Sequence, residues 1–394
     1  MVLADLALYT LALAGHTTLW LVFQNQVLAT AMPRWALKTL TTFAHLCLVM
    51  APVWWLLWAR SAGWEIVGRT DWSTASPAQV FYVLFCAVFG LVVVPPFFWR
   101  RLTYRPPQVL RSNDSQYLDI ASRMGYHPVG EGFRRVYTRL PRNEVFRLEV
   151  NEKLIQLPRL PRSLDGLSIA HISDLHYTGA VAEEFFHEIV DLVNTMQPDL
   201  IALTGDVVDK FQCIDWIGPT LGKLRAVHGA YFVLGNHDLY VKDVARLRRT
   251  LVACEFVDLG SRWLSHQIGE GRVILAGNEL PWIAPAADMT GSGAVDSREP
   301  SLRILLAHSP DQLAWARRRD FDLMLAGHTH GGQIRLPWIG PVVTPSRKNV
   351  RYASGVFHEP PTVMHVSRGV SSLMPLRWNC LPEITKLVLR APQP

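Results

Sequence analysis

Five short apolar runs between residues 167 and 330 each stop at an Asp, Asn or His, and this repeated punctuation restricts the fold more than any other feature of the chain. Leu167 to Ile172 leads into Ser173-Asp174-Leu175-His176. Leu200 to Leu203 leads into Thr204-Gly205-Asp206, with Asp209 three residues on. Ala230 to Leu234 leads into Gly235-Asn236-His237-Asp238. Leu302 to Ala307 ends at His308, and Leu323 to Ala326 ends at Gly327-His328-Thr329-His330. Such runs read as buried strands, and Glu183 to Met196 between the first two has helical period. The alternation is that of an α/β protein. Open α/β sheets gather their sites at strand C-termini, so these loops are expected to converge. One such loop alone is ordinary surface polarity or a turn; five in series argue for a site.

The series Asp174-x-His176, Gly205-Asp206, Gly235-Asn236-His237-Asp238, His308 and Gly327-His328-x-His330 resembles the calcineurin-like metallophosphoesterase superfamily, over about Leu167 to Leu389. Residues 327–333, 367–370 and 382–384 further resemble its membrane-associated branch of YkuE/YaeI-type phosphodiesterases. The resemblance implies an α/β fold of four layers, αββα, with two central mixed sheets. It implies that Asp174, His176 and His330 hold one metal ion, that Asn236, His308 and His328 hold a second, and that Asp206 bridges them. Carboxylate, amide and imidazole donors without thiolate suit Mn²⁺ first, with Fe, Zn²⁺ or Mg²⁺ as alternatives. Two such ions ~3.5–4 Å apart clamp a phosphoryl group and share a water whose pKa falls toward neutrality. His237 has no metal role by this resemblance; it is expected to stabilise the transition state or protonate the leaving oxygen. Asp209 is expected to orient His237.

The remainder of the 394 residues divides by hydropathy. Mean hydropathy is +0.13, and the excess sits in the first hundred residues, where 8 of the 14 Trp lie. Three apolar stretches there, Leu3 to Phe23, Leu40 to Ala59 and Val80 to Trp99, have the twenty or so residues that spanning a bilayer needs. No Lys or Arg precedes the first, which argues against a signal peptide. Trp54, Trp55, Trp58 and Trp64 gather at one end of the second and Trp99 closes the third, as headgroup-level aromatics do. Arg34, Lys38, Arg100, Arg101, Arg105 and Arg111 fall on one side of a three-span topology, and only Arg60 and Arg69 on the other. That bias places the catalytic domain in the cytoplasm. His16 and His45 lie within spans without an acidic partner at matching depth, so packing or a water-facing position is expected for both. The expected domains are a membrane region at 1–100, a basic connector at 101–162 with a short helix at 114–124 and a lead-in strand at 146–150, and a catalytic domain at 163–394.

The net charge of +6 permits anionic partners. No basic and aromatic surface is evident in the catalytic half, so nucleic acid is not expected. The five Cys form no CxxC pair and read as unpaired thiols. The sequence therefore points to an integral protein of a bacterial inner membrane that hydrolyses a phosphoester or pyrophosphate with two divalent ions. A lipid or lipid-linked nucleotide substrate fits the anchor, and UDP-2,3-diacylglucosamine is the specific expectation, which would place the chain in lipid metabolism. Residues 280–283 and 336–340, each carrying Pro-Trp, are candidates for an acyl-accepting rim, with core packing the competing reading. A nucleotide phosphodiesterase localised at the membrane is the alternative enzyme. A non-catalytic receptor or scaffold is the alternative from another class, and it is disfavoured because no expected site residue is missing.

Overall fold

The computed structural model describes residues 2–61, 73, 75–292 and 301–392, and the chain divides into two compact units, Met1–Arg105 and Pro106–Pro394. The first unit contains α1 (Val2–Leu28), α2 (Arg34–Ser61) and α3 (Pro77–Leu102), all long and apolar enough to cross a membrane. Trp64 and Arg69, used above in the topology argument, lie outside the described residues. Helices α1 and α3 meet at Gly15 and Gly90; a Cβ on Gly15 would run into the Cys86 carbonyl and the Gly90 nitrogen. Beside this crossing His16 is fully buried and joins all three helices. Its Nδ1 lies 2.9 Å from the Tyr82 hydroxyl on α3, and its Nε2 lies 3.1 Å from the Cys47 carbonyl oxygen on α2. A polar side chain in hydrocarbon needs such partners, so His16 serves packing. His45 is exposed on α2.

The second unit is a sandwich of two mixed sheets. The seven-stranded sheet runs β1 (Leu110–Asp119), β2 (Arg147–Gln156), β15 (Glu383–Arg390), β3 (Ser168–Ile172), β4 (Leu200–Thr204), β5 (Ala230–Val233), β6 (Phe256–Asp258). The six-stranded sheet runs β13 (Gly355–Glu359), β14 (Thr362–Val366), β10 (Leu323–Ala326), β9 (Ser301–Ala307), β8 (Gly271–Asn278), β7 (Trp263–Ile268). A hairpin of β11 (Arg335–Leu336) and β12 (Gly340–Pro341) stands apart from both.

Successive side chains on a strand point to opposite faces, and here both faces are apolar. Ile169 and Ala202 pack between the sheets with Ile304, Leu306 and Leu325. Their neighbours Ala170, Ile201 and Leu203 pack outward under α5 (Glu183–Thr195) and α6 (Val244–Ala253), through Phe185, Ile189 and Leu247. On the far side Leu305 and Met324 pack under α7 (Leu313–Arg318) through Leu313 and Ala316. The layers are therefore helix, sheet, sheet, helix, as the resemblance implies. Strands β3, β4 and β5 are mutually parallel, as are β9 and β10, so their C-terminal loops share an end of the sandwich.

From Pro106 on, the stretch read as a connector belongs to this unit. Leu110–Asp119 is a strand, antiparallel to β2, where a helix was expected from 114; the helix is confined to α4 (Ile120–Met124). Strand β1 lies at the sheet edge with most of its side chains in solvent, so it carries no apolar alternation. Strand β2 is no lead-in but an internal strand that points polar side chains inward. Lys153 Nζ donates to Asn151 Oδ1 at 2.8 Å, and Asn151 Nδ2 donates to Glu383 Oε2 at 3.2 Å. Arg368 closes the network at 2.6 Å from both Glu383 and Glu149. Paired and hydrogen-bonded charges of this kind can be buried.

Candidate metal centre

The loops after β3, β4 and β10 turn through left-handed backbone. Asp174, His176, Asp206, His328 and His330 have φ of 54°, 48°, 54°, 70° and 50°. Non-glycine residues rarely adopt this region, and its cost concentrates where function requires a geometry. The turn aims each side chain back over its strand end. Two glycines make room. A Cβ on Gly235 would strike Asp206 Oδ1 and stand 2.8 Å from His308 Cε1, and one on Gly327 would strike Ser173 Oγ and Asp174 Oδ2.

The side chains form two buried clusters that share one residue. Asp174, His176, Asp206 and His330 make the first, and Asp206, His308 and His328 make the second. His176 Nε2 lies 3.1 Å from His330 Nε2 and 3.6 Å from Asp206 Oδ2. On the other side His308 Nε2 lies 3.2 Å from that same Asp206 Oδ2. Asp206 Oδ1 is engaged elsewhere, accepting from the His237 backbone N–H at 2.8 Å, so Oδ2 faces both clusters. His308 Nδ1 donates to the Thr204 carbonyl at 2.6 Å, which leaves Nε2 as its free donor atom. His328 Nε2 and Asn236 Oδ1 are buried without a hydrogen-bond partner. Orphaned polar atoms in a native interior call for an explanation, and a divalent cation supplies one. The donor set of imidazole, carboxylate and amide fits such an ion.

Electrostatics agree. Burial alone would depress His176, but the carboxylates of Asp209, Asp206 and Asp174 outweigh it and raise it to about 9. Burial likewise opposes protonation of His308, yet Asp206 and Asp174 lift it to about 9. His328 and His330 are pushed well below the ordinary value, by burial first and then by the neighbouring cationic rings. The acids thus demand positive charge at their centre, which cations would supply in place of protons.

Asp209 and His237 sit beside the first cluster. Asp209 Oδ1 lies 2.6 Å from His237 Nδ1, and Asp209 Oδ2 lies 2.7 Å from His176 Nδ1. The expected pairing is present, and Asp209 holds His176 as well. His237 is partly open, with 17% of its side chain exposed, as is His330 with 14%.

Arg377 escaped the sequence reading, while Asp238 figured there without a role and Trp282 only within a candidate rim. Asp238 is fully buried and accepts from four backbone N–H groups: Asp206 and Gly235 on Oδ2, Val207 and Val208 on Oδ1, at 2.8–2.9 Å. Arg377 is fully buried behind His330, donating to its carbonyl at 3.0 Å. Trp282 packs edge-on against His328 and His308, with ring centroids 4.7 and 5.5 Å away. Of the two Pro-Trp segments, 280–283 therefore borders the metal centre, whereas Trp338 of the other is 90% exposed. His171 is buried between the sheets and contacts His365 Nδ1 at 2.8 Å and Thr204 Oγ1 at 2.9 Å.

The calcineurin-like phosphoesterase family matches residues 167–332, which include every candidate ligand. The metallophosphoesterase YkuE of Bacillus subtilis is 31% identical over 62% of this chain and 86% of its own length. Phosphodiesterase YaeI of Escherichia coli is 32% identical over 56% of this chain and 81% of its own. A transmembrane protein with a metallophosphoesterase domain from Bos taurus is 30% identical over 60% of this chain and 56% of its own. With the ligand-bearing loops all inside the matched span, and apolar helices ahead of it, the chain belongs to the calcineurin-like metallophosphoesterases, metal-dependent hydrolases of phosphoesters.

Proposed function

We propose that this chain is a membrane-anchored binuclear phosphodiesterase acting on a lipid phosphate or lipid-linked pyrophosphate. The carrying observation is Asp206 Oδ2, which lies between His176 Nε2 and His308 Nε2 and is the shared atom of the two clusters. Asp174, His176 and His330 would complete one ion site, and Asn236, His308 and His328 the other. When bound, two divalent ions supply Lewis-acid stabilisation of phosphoryl charge and a water ionised near neutral pH. Mn²⁺ is the proposed ion, because oxygen and imidazole donors without sulfur suit it.

The chain's own residues do the rest. His237 is tethered at Nδ1 by Asp209, which leaves Nε2 as the atom that gives a proton to the leaving oxygen. Asp209 stays ionised, since the flanking His176 and His237 outweigh burial and hold its carboxyl well below the usual range. Trp282 covers the second cluster and limits the water around it. The phosphodiesterase name of YaeI supports a diester substrate. The three apolar helices favour a lipid, since a soluble nucleotide gains little from a membrane-bound enzyme. The excess of basic residues beside α3 supports a cytoplasmic catalytic unit in a bacterial cell.

The test is turnover by the detergent-solubilised full chain, with Mn²⁺ added, of lipid phosphates, UDP-2,3-diacylglucosamine and cyclic or linear nucleotides. Turnover of acylated substrates above their deacylated analogues supports the proposal. Preference for soluble nucleotides would replace it with the nucleotide phosphodiesterase reading, and no hydrolysis with both ions bound would remove it.

A further inference from the structure

Two exposed segments hang from the His176 and His330 side of the metal centre. Residues 131–142 form a surface lip around a 3-10 helix at Phe133–Arg139. One end is pinned to the chain just past His176, where the N–H groups of Gly130 and Glu131 donate to the carbonyls of Ala180 and Gly179. The other end is pinned beside His330. Asn143 Nδ2 donates to the Pro375 carbonyl at 2.8 Å, and the Glu144 N–H donates to the carbonyl of Arg377 at 2.9 Å. The second segment is the β11–β12 hairpin, which starts five residues after His330. Its Arg335 Nε donates to the Gly331 carbonyl and its N–H to the Trp378 carbonyl. A hollow lined by Arg142, Asn143, Arg147, Pro337 and Trp378 lies between hairpin and lip.

Both segments expose apolar side chains that a soluble surface would not group together. Phe133 is 81% exposed, Val136 50%, Leu140 43%, Leu336 36% and Trp338 90%. Arginine is interleaved with them: residues 131–142 contain Arg134, Arg135, Arg139 and Arg142 against one acid, Glu131. Arg135 and Arg139 share a second hollow with Phe133 and Val136. Apolar and aromatic side chains set among cations are the composition of elements that lie in a headgroup layer. Leu, Val and a fully projecting Trp suit insertion between acyl chains better than base stacking. On the membrane-anchored reading proposed above, on which this inference rests, the chain also keeps this unit at a membrane. Only seven residues, 103–109, link α3 to β1, a reach of about 25 Å at full extension.

We propose that the 131–142 lip and the β11–β12 hairpin form one docking face that seats in the headgroup layer of an anionic bilayer, with arginines on lipid phosphates and Phe133, Val136 and Trp338 among the upper acyl carbons. Whatever the substrate, the His176 and His330 side of the metal centre, to which both segments are pinned, then stands at the lipid surface rather than in bulk water.

Amide hydrogen exchange tests this on the full chain. It is compared in detergent, in phosphatidylcholine nanodiscs, and in nanodiscs of phosphatidylcholine mixed with phosphatidylglycerol. Protection of 131–142 and 334–341 is expected to rise several-fold in the anionic nanodiscs, while β3, β4 and β9 exchange alike in all three. The variants R135E/R139E and F133S/W338S should each abolish that gain and leave turnover of a soluble phosphodiester unchanged, which separates lost docking from misfolding. Equal exchange in detergent and anionic nanodiscs overturns the proposal. So does protection that survives both variants, or protection induced in detergent by inorganic phosphate or an RNA oligomer.

Discussion

Asp209 approaches His237 with one oxygen, 2.6 Å from Nδ1, while its other oxygen lies 2.7 Å from Nδ1 of His176. One carboxylate therefore orients both the ring proposed to donate a proton and an imidazole proposed to hold a metal ion. Asn at 209 offers one acceptor and one donor in the same place, so one of the two rings must change tautomer. Asp209→Asn is expected to lower metal affinity about 10–100-fold as well as slow turnover, the usual size for loss of a carboxylate behind a ligand histidine. Metal titration followed by mass spectrometry of bound ions decides it. Unchanged affinity would mean that Asp209 serves His237 alone.

His237→Ala should separate catalysis from metal binding. Its ring makes no contribution to either shared cluster, so both ions should remain while turnover falls about 10²–10⁴-fold. Ion content and rate are to be measured on the same sample. Near-normal turnover of the true substrate would refute the proton-transfer role.

Asp206→Asn should behave in the opposite way, because Asp206 Oδ2 serves both clusters. Both ions should be lost together, with rate falling in proportion. Asn236→Ala removes an amide proposed to serve the second ion alone and should leave the other ion bound. An Asp206→Asn protein that keeps one ion at full occupancy would argue against a bridge.

The candidate ligands were legible because each stands at the end of an apolar run, where strand and loop differ sharply in composition. The same runs marked the strands, whereas their division into two sheets was implied only by the family resemblance. What could not be read depends on contacts between distant segments. Strand β1 is an edge strand without alternation, and β2 hides Asn151 and Lys153 among partners on β15 and in the Arg368 loop. Asp238 stood in its motif without a role, since three of its four donors come from the loop after β4. The second partner of Asp209 required the rings of His176 and His237 to lie 4.8 Å apart, which spacing along the chain does not reveal.

Acid should weaken the polar core between the sheets. Burial alone would raise the Glu383 carboxyl, but Arg368, Lys153 and the Arg368 N–H hold it well below its ordinary value of 4.5. A carboxyl lowered by folding adds stability above its unfolded value, and that stability is lost as pH falls from there toward the folded one. The urea midpoint of the purified protein is expected to drop as pH falls below 4.5. Glu383→Gln should lower it at neutral pH and flatten the acid limb. The same acid limb in the variant would assign the effect to other carboxyls.

Asp238 gives the most demanding test, because it touches no candidate ligand side chain and yet shapes the loops that carry them. Its carboxylate takes the N–H groups of Asp206 and Gly235 on one oxygen and of Val207 and Val208 on the other. An Asn there keeps one oxygen and turns an amide NH₂ toward the remaining two donors. Donor then faces donor in a fully buried position, whichever way the amide is placed. Each orphaned N–H costs about 1–3 kcal/mol, so Asp238→Asn should destabilise the unit by several times a surface substitution. The strain falls on the left-handed turn at Asp206 and on the close approach at Gly235, the two backbone features that hold Asp206 Oδ2 between the clusters. Metal affinity should therefore fall along with melting temperature. An Asp238→Asn protein that melts like the wild type and binds both ions normally would show that the turn is held by the strands alone, and that the buried carboxylate has another purpose.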